Sequence, residues 1–472
     1  MAGVAQLPLE LFHCALDYVS LTDVLRSTKV CKRWRQIAFS HPKFWRNISV
    51  TSHSSHALDF FLSRLRYSST GRVHVRVKLI TVEPAASNAI DTSILPALTQ
   101  NMYRIASLHI ELSVAHDSLV YRHLTRRPAP SLNRFGLIFI ASTTRSIAEP
   151  LPENIFAATC PGLLELSLGC CDHNTLAKLP PVLSSARLLS LSYADQASRF
   201  PFDVFSIFKG VSRLSIQGNC LFIPPAFPSM ISFSCLEYLN LQCGPDVCDA
   251  ILFCRAVRNI PQLTISGTSA FRCPRIIDHL SGDLALICSR TGFEVTTSFR
   301  SINSGLVRTL STSITHFHAA HSPTPGIVQF CSDYSYSPRD SVLSTTTVSN
   351  RIVELELFAD SWGIFSDAFV LMPSCTKLTF IFNEHASNLL RYAAPAPVLP
   401  CHALATLVLK ALCEPITLRL TDVVRLLRSV LPPSDTRALV LESIELVGEW
   451  ALMQGIANIN FNSDGIVALE QV

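Results

Sequence analysis

The spacing of apolar residues along this chain changes after roughly the first fifty positions. Between 7 and 50 they recur at three- and four-residue steps, the spacing of one helix face. Leu7-Pro8 opens a first helix carrying Leu11, Phe12, Ala15, Leu16 and Val19, because proline suits the first helical position. Ser20 or Thr22 caps a second, with Asp23 in its first turn, then Val24, Leu25 and Thr28. Val30-Cys31 leads into Lys32 to Arg35, which contains Trp34, and a last short turn at Ser40-His41-Pro42 supplies Phe44 and Trp45. Residues 51–72 then read as a linker: one helix with Leu58, Phe61, Leu62 and Leu65, followed by a Ser-Ser-Thr-Gly turn.

From 73 onward the period is two. Val73, Val75, Val77 and Leu79 alternate with His74, Arg76 and Lys78 as a half-buried strand does. An apolar-x-x-apolar-x-apolar unit then returns, at Ile105/Leu108/Ile110, Leu132/Phe135/Leu137, Leu163/Leu166/Leu168, Ala186/Leu189/Leu191, Val211/Leu214/Ile216, Leu236/Leu239/Leu241 and Ile260/Leu263/Ile265. Later copies fall at Ile352/Leu355/Leu357, Cys375/Leu378/Phe380, Leu404/Leu407/Leu409 and Thr436/Leu439/Leu441. Between Leu166 and Leu263 the step is about 23 to 25 residues, inside the leucine-rich-repeat range, and it lengthens elsewhere. No such unit buries its apolar face alone, so stacking is required. The expectation is an α/β chain: a helical module over 1–50, the linker over 51–72, and an irregular leucine-rich-repeat-like solenoid over 73–472, a horseshoe with parallel strands on its concave face. Short helices or 3₁₀ turns are expected between strands, as at Pro180 to Ala186 and Pro201 to Val211. The Ser/Thr/Pro/Tyr-rich stretch 318–350 breaks the period and reads as an inserted surface loop; Ser322-Pro323 and Ser337-Pro338 raise phosphorylation there as the alternative.

The x positions beside each central leucine point away from the core. Arg213, Gln217, Tyr238, Gln242, Gln262, Glu354 and Glu356 are the candidate target-binding residues, and Glu165, Ser167, Ser215, Asn240, Thr264, Lys377 and Thr379 share their face. That face reads as polar and nearly uncharged, which suits a protein partner better than a phosphate backbone.

Composition narrows the function. Thirty-nine Lys+Arg against 35 Asp+Glu give a formal charge of +4 over 472 residues, too little to mark a nucleic-acid surface. A mean hydropathy of +0.32 with 48% hydrophobic residues excludes disorder. Apolar runs are too short to span a bilayer, and Glu10 and Asp17 interrupt any signal-like start, so a cytoplasmic or nuclear protein is expected. Sixteen scattered cysteines read as buried thiols. Cys243, Cys248 and Cys254 have the wrong gaps for zinc, and His316, His318 and His321 lack a further ligand, so neither metal nor cofactor is expected. No GxSxG, GxxxxGK[ST] or GxGxxG motif occurs in its required context, so no enzymatic activity is expected.

A unit of about 45 residues cannot hide all the large apolar side chains of 7–50 within itself, so some must meet a partner. The order LPLEL, SLTDVLR, VCKRWR, His-Pro and FW closely resembles the F-box motif. The whole chain resembles F-box proteins of fungal type with a leucine-rich-repeat-like carboxy-terminal domain. The resemblance implies docking on a Skp-type adaptor, and through it on a cullin, with the repeats holding an unidentified protein substrate as the recognition subunit of an SCF-type ubiquitin ligase. By the same resemblance Leu7, Pro8, Glu10, Leu11, Leu25, Val30, Cys31 and Trp34 are the adaptor-binding residues. Leu9 departs from the pattern, standing where many members carry an acid or a polar residue. The alternative is a leucine-rich-repeat scaffold or receptor whose amino-terminal helices only cap the solenoid.

Overall fold

The computed structural model describes residues 8–68, 71–140, 149–171, 179–193, 198–202, 204–223, 235–267, 270, 273–291, 294–313, 346–361, 372–383, 401–412, 414–431 and 438–448. The chain divides into two compact units, Met1–Leu236 and Glu237–Val472. Leu7, the 318–350 loop up to residue 345, and His316, His318 and His321 lie outside the described residues.

The first unit begins with four short helices, α1 (Leu9–Tyr18), α2 (Leu21–Ser27), α3 (Lys32–Ser40) and α4 (Pro42–Arg46). Pro8 occupies the N-cap of α1 rather than its first turn. Ser20 caps α2: its Oγ accepts from the Asp23 amide (3.2 Å) and donates to the Asp23 carboxylate (2.7 Å). The last four residues of the sequence-defined module are not helical. They form β1 (Asn47–Val50), which pairs in parallel with β2 (Val73–Leu79) after the linking helix α5 (Ser55–Tyr67).

Five more strands continue that parallel sheet: β3 (Ile105–Ser113), β4 (Arg134–Ile140), β5 (Glu165–Cys171), β6 (Leu188–Tyr193) and, after the two-residue β7 (Ser198–Arg199), β8 (Arg213–Gly218). β7 pairs separately with β9 (Leu221–Phe222). The repeated apolar pattern sets the register. Val75, Leu108, Phe135, Leu166, Leu189 and Leu214 lie opposite one another across six strands, and Val77, Ile110, Leu137, Leu168, Leu191 and Ile216 form a second column, all buried. A one-residue slip would turn both columns to solvent. Helices and 3₁₀ turns cross between strands, including α6 (Pro84–Ala89), α7 (Leu95–Asn101), α8 (Asp117–Leu124) and the turns Ile155–Ala158 and Pro181–Leu183. Phe156 packs edge-on to Phe135 with ring centroids 5.0 Å apart.

In the second unit β10 (Tyr238–Cys243) pairs in parallel with β11 (Gln262–Ser266), with Leu239 opposite Leu263. Parallel strands are the expectation from the repeats throughout, and here that expectation is corrected. β12 (Leu284–Thr291), β13 (Glu294–Ser301) and β14 (Val307–Ser313) form an antiparallel meander in the order β11-β14-β13-β12. Their connections are too short for a crossover, and Gly305, at φ +68°, makes the tight return from β13 to β14. Parallel pairing resumes with β15 (Ile352–Phe358), β16 (Lys377–Phe382), β17 (Thr406–Ala411) and, beyond the short β18 (Ile416–Arg419), β19 (Ala438–Glu442). Leu355, Leu378, Leu407 and Leu439 form the matching buried column. β18 pairs with β20 (Ile444–Val447), and the helix Leu420–Val430 buries Val423, Val424 and Leu427.

Arg308 breaks the apolar rule, lying fully buried opposite Leu263. Its guanidinium donates to the carbonyl oxygens of Ile260 (2.9 Å), Val307 (2.8 Å) and Arg258 (2.9 Å), and burial lowers its pKa to about 10. Thus each unit holds parallel-rich α/β structure, and in the first unit it follows an amino-terminal set of helices.

Candidate protein-interaction interface

The four amino-terminal helices close around Phe12, Leu16, Val24, Ile37, Ala38 and Phe44, with Val19, Leu25, Trp34 and Trp45 packed on that core. Phe12 meets Trp34 edge-on at 5.0 Å and Phe44 meets Trp45 at 4.9 Å. Polar ties hold the helix ends. Lys43 Nζ donates to the carbonyl oxygens of Asp17 (2.8 Å) and Val19 (2.5 Å), satisfying the C-terminus of α1 with a cation. His41, almost fully buried, accepts the Lys43 amide at Nδ1 (3.2 Å) and points Nε2 at the Asp17 carboxylate (3.3 Å). Burial depresses its pKa and Asp17 partly offsets this.

Outside that core a set of apolar side chains stays in water. Leu11 (55% exposed) and Tyr18 (92%) lie with Ala15 on one stripe of α1, and Val30 (64%) sits in the turn before α3. Leu9, Cys14, Cys31 and Phe39 are exposed as well. Of the sequence-derived adaptor residues, Pro8, Glu10, Leu11, Val30 and Cys31 are therefore exposed, while Leu25 and Trp34 are half-buried against the core. Leu9, Tyr18 and Phe39 belong to the exposed set although sequence reasoning did not single them out as adaptor-binding. Helical period alone cannot separate Leu11 from Phe12, since both are apolar neighbours and only packing against α3 selects Phe12.

The module is bolted to the sheet. Arg64, buried on α5, donates through Nη2 to the carbonyl oxygens of Phe44 and Asn47 (2.8 Å to the latter), and its guanidinium lies over the Phe44 ring. Burial lowers its pKa to about 10. At the C-terminus of the same helix, Arg104 donates to the carbonyl oxygens of Ser68 (3.0 Å) and Leu65 and to Ser68 Oγ (2.8 Å). Both arginines close carbonyls that helix ends leave open.

The outward strand positions stand as the alternation predicts, with one exception. Arg213, Gln217 and Gln262 are exposed; Tyr238, Gln242, Glu354, Glu356, Glu165, Ser167, Thr264 and Lys377 are half-buried; Thr379 is buried. The flanking strands carry larger neighbours at its level, Glu356 and Val408, which cover a short threonine. Arg213 and Gln217 belong to the first unit and the other target candidates to the second. Tyr238 and Gln262 are direct cross-strand neighbours, whereas β14, β13 and β12 stand between Gln262 and the Glu354/Glu356 pair.

The reading of this face as nearly uncharged is also corrected. Lys78 meets Glu111 at 2.7 Å, Arg134 meets Glu165 at 3.4 Å, Glu354 lies 3.9 Å from both Arg300 and Lys377, and Lys410 meets Glu442 at 2.7 Å. The alternation at 74–78 carries that signal in its basic outward positions, Arg76 and Lys78. Cys243 and Cys248 are buried core thiols, the Cys248 thiol 3.7 Å from the Cys243 carbonyl oxygen, and Cys254 is half-buried.

The F-box-like family model matches residues 4–51. That segment covers all four helices and β1, so the chain carries an F-box-like domain, and domains of this family generally bind Skp-type adaptors. No curated protein matches the chain. Among the described residues no helix is long and apolar enough to cross a membrane.

Proposed function

We propose that this protein is a non-enzymatic substrate-recognition adaptor of an SCF-type ubiquitin ligase, acting in the cytoplasm or nucleus. Its F-box-like helices dock on a Skp-type adaptor, which links to a cullin. Leucine-rich-repeat-like strands present their outward polar face to a target protein. The observation that carries this reading is the apolar set Leu11, Tyr18 and Val30, left in water beside a core that the helices have already closed. Burying such side chains against a partner contributes about 1.5–3 kcal/mol each. The Arg64 and Arg104 ties give a rigid spacing between docked adaptor and sheet, which suits presenting target lysines at a fixed distance.

A second reading has its own observation. β1 forms the first strand of the sheet, so the helices also act as a cap on the repeats. Co-purification of full-length protein with a Skp-type adaptor and cullin separates the two. An adaptor protein recovers both partners, and the Leu11→Asp/Val30→Asp variant loses them with its melting temperature unchanged. Under the cap reading neither partner is recovered.

A further inference from the structure

On the outward face of the first unit, beside the F-box-like helices, β1, β2 and β3 enclose an open hollow of about 520 Å³. Asn47, Ser49, His74, Arg76, Ser107 and His109 line it, over a floor to which the apolar Ile48 and Val75 contribute. Register explains its depth: Asn47 faces His74 and Ser49 faces Arg76, so small polar residues on the outer strand stand beside long ones. On the far side Gly136 lies opposite His109. A Cβ on Gly136 would approach His109 Nδ1 to 2.3 Å, so the glycine is what lets the imidazole lean over β4.

The charge around the hollow is unbalanced. Arg76, Lys78 and Arg134 stand on the outward positions of β2 and β4, with Arg46 at the end of α4; the facing carboxylates on β3 and β5 are Glu111 and Glu165. Lys78 holds Glu111 at 2.7 Å, leaving Arg76 at 3.8 Å from that carboxylate. The Arg76 and Arg134 side chains are 59% and 63% exposed. His74 responds to this field: after burial, the Arg134 and Arg46 charges are what depress its pKa.

We infer that this hollow is a docking site for an acidic, extended segment of the target protein, its carboxylates spread between Arg76 and Arg134. Arg76 and Arg134 sit two strands apart with β3 between them, about 9–10 Å at roughly 4.8 Å per strand, and each is partly neutralised, by Glu111 and Glu165. That spacing fits successive carboxylates along a chain better than one compact phosphate, which calls for converging donors. The inference rests on the proposed adaptor function, naming the chemistry of the target it would hold.

The test uses full-length protein and a fluorescein-labelled nine-residue peptide alternating glutamate pairs with glycine, read by anisotropy, with a glutamine version as control. Binding of the glutamate peptide only is expected. Affinity should weaken at least tenfold in Arg76→Gln/Arg134→Gln, and should also weaken in Gly136→Ala, which displaces His109, with melting temperatures kept. Equal binding of the glutamine peptide, unchanged affinity in the arginine variant, or no binding overturns the inference. So does displacement by a single-stranded oligonucleotide at lower concentration than by unlabelled peptide, which would make the hollow a nucleic-acid site. Capture of the Skp-type adaptor, measured on the same preparations, reports separately on the proposed function.

Discussion

Arg64 Nη2 lies 2.8 Å from the carbonyl oxygen of Asn47, joining the last turn of α5 to the first residue of the sheet. The same nitrogen serves the Phe44 carbonyl at the end of the helical module. One buried guanidinium therefore fixes the junction through which any docked adaptor would be held relative to the strands.

Arg64→Met keeps most of the apolar stem and removes the donors, leaving buried carbonyls open. The expected cost is about 2–4 kcal/mol, seen as a lowered melting temperature and earlier urea unfolding. Arg64→Lys keeps the charge but reaches fewer acceptors and should recover only part of the loss. A melting temperature unchanged in Arg64→Met would mean the tie contributes nothing.

Much of this architecture was legible in the chain because the repeated unit does one physical job at every copy: Leu166, Leu189 and Leu214, or Leu378 and Leu407, occupy equivalent buried positions on successive parallel strands. The meander over 284–313 was not legible by the same template. Two of its strands, β13 and β14, interleave threonine and serine with Val295, Phe299 and Leu310, and a buried arginine takes the place of a leucine. A period-two search with Gly305 as a turn signal would have found it. At the amino-terminal site the motif located the module, but which apolar residues stay exposed depends on packing against α3.

The repeat columns can be tested one strand position apart. Leu378→Ala removes a fully buried side chain and should cost about 2–5 kcal/mol. Lys377→Ala, next to it on the outward face and 3.9 Å from Glu354, should change stability by less than about 1 kcal/mol. Equal costs from the two, measured by urea titration, would contradict the assigned faces.

Acid should destabilise the fold before carboxylates titrate. Burial holds the folded pKa values of His41, His123 and His279 below the ordinary 6.5. As pH drops through 6.5 the unfolded chain takes up these protons first, so stability is complete above that value and declines below it. The melting temperature should fall between about pH 7 and pH 5.5, and less steeply in His41→Gln. A flat profile in that window would contradict the buried neutral imidazoles.

If the exposed apolar set on the F-box-like helices is an adaptor-docking surface, full-length protein should bind a purified Skp-type adaptor through it. The dissociation constant of that complex, compared with Leu11→Asp/Val30→Asp, reads this out without further assumptions. Docking through these side chains predicts saturable one-to-one binding and at least a roughly thirtyfold loss in the variant, about 2 kcal/mol, with its melting temperature kept. Equal affinity in the two proteins, or no binding by either, would contradict it.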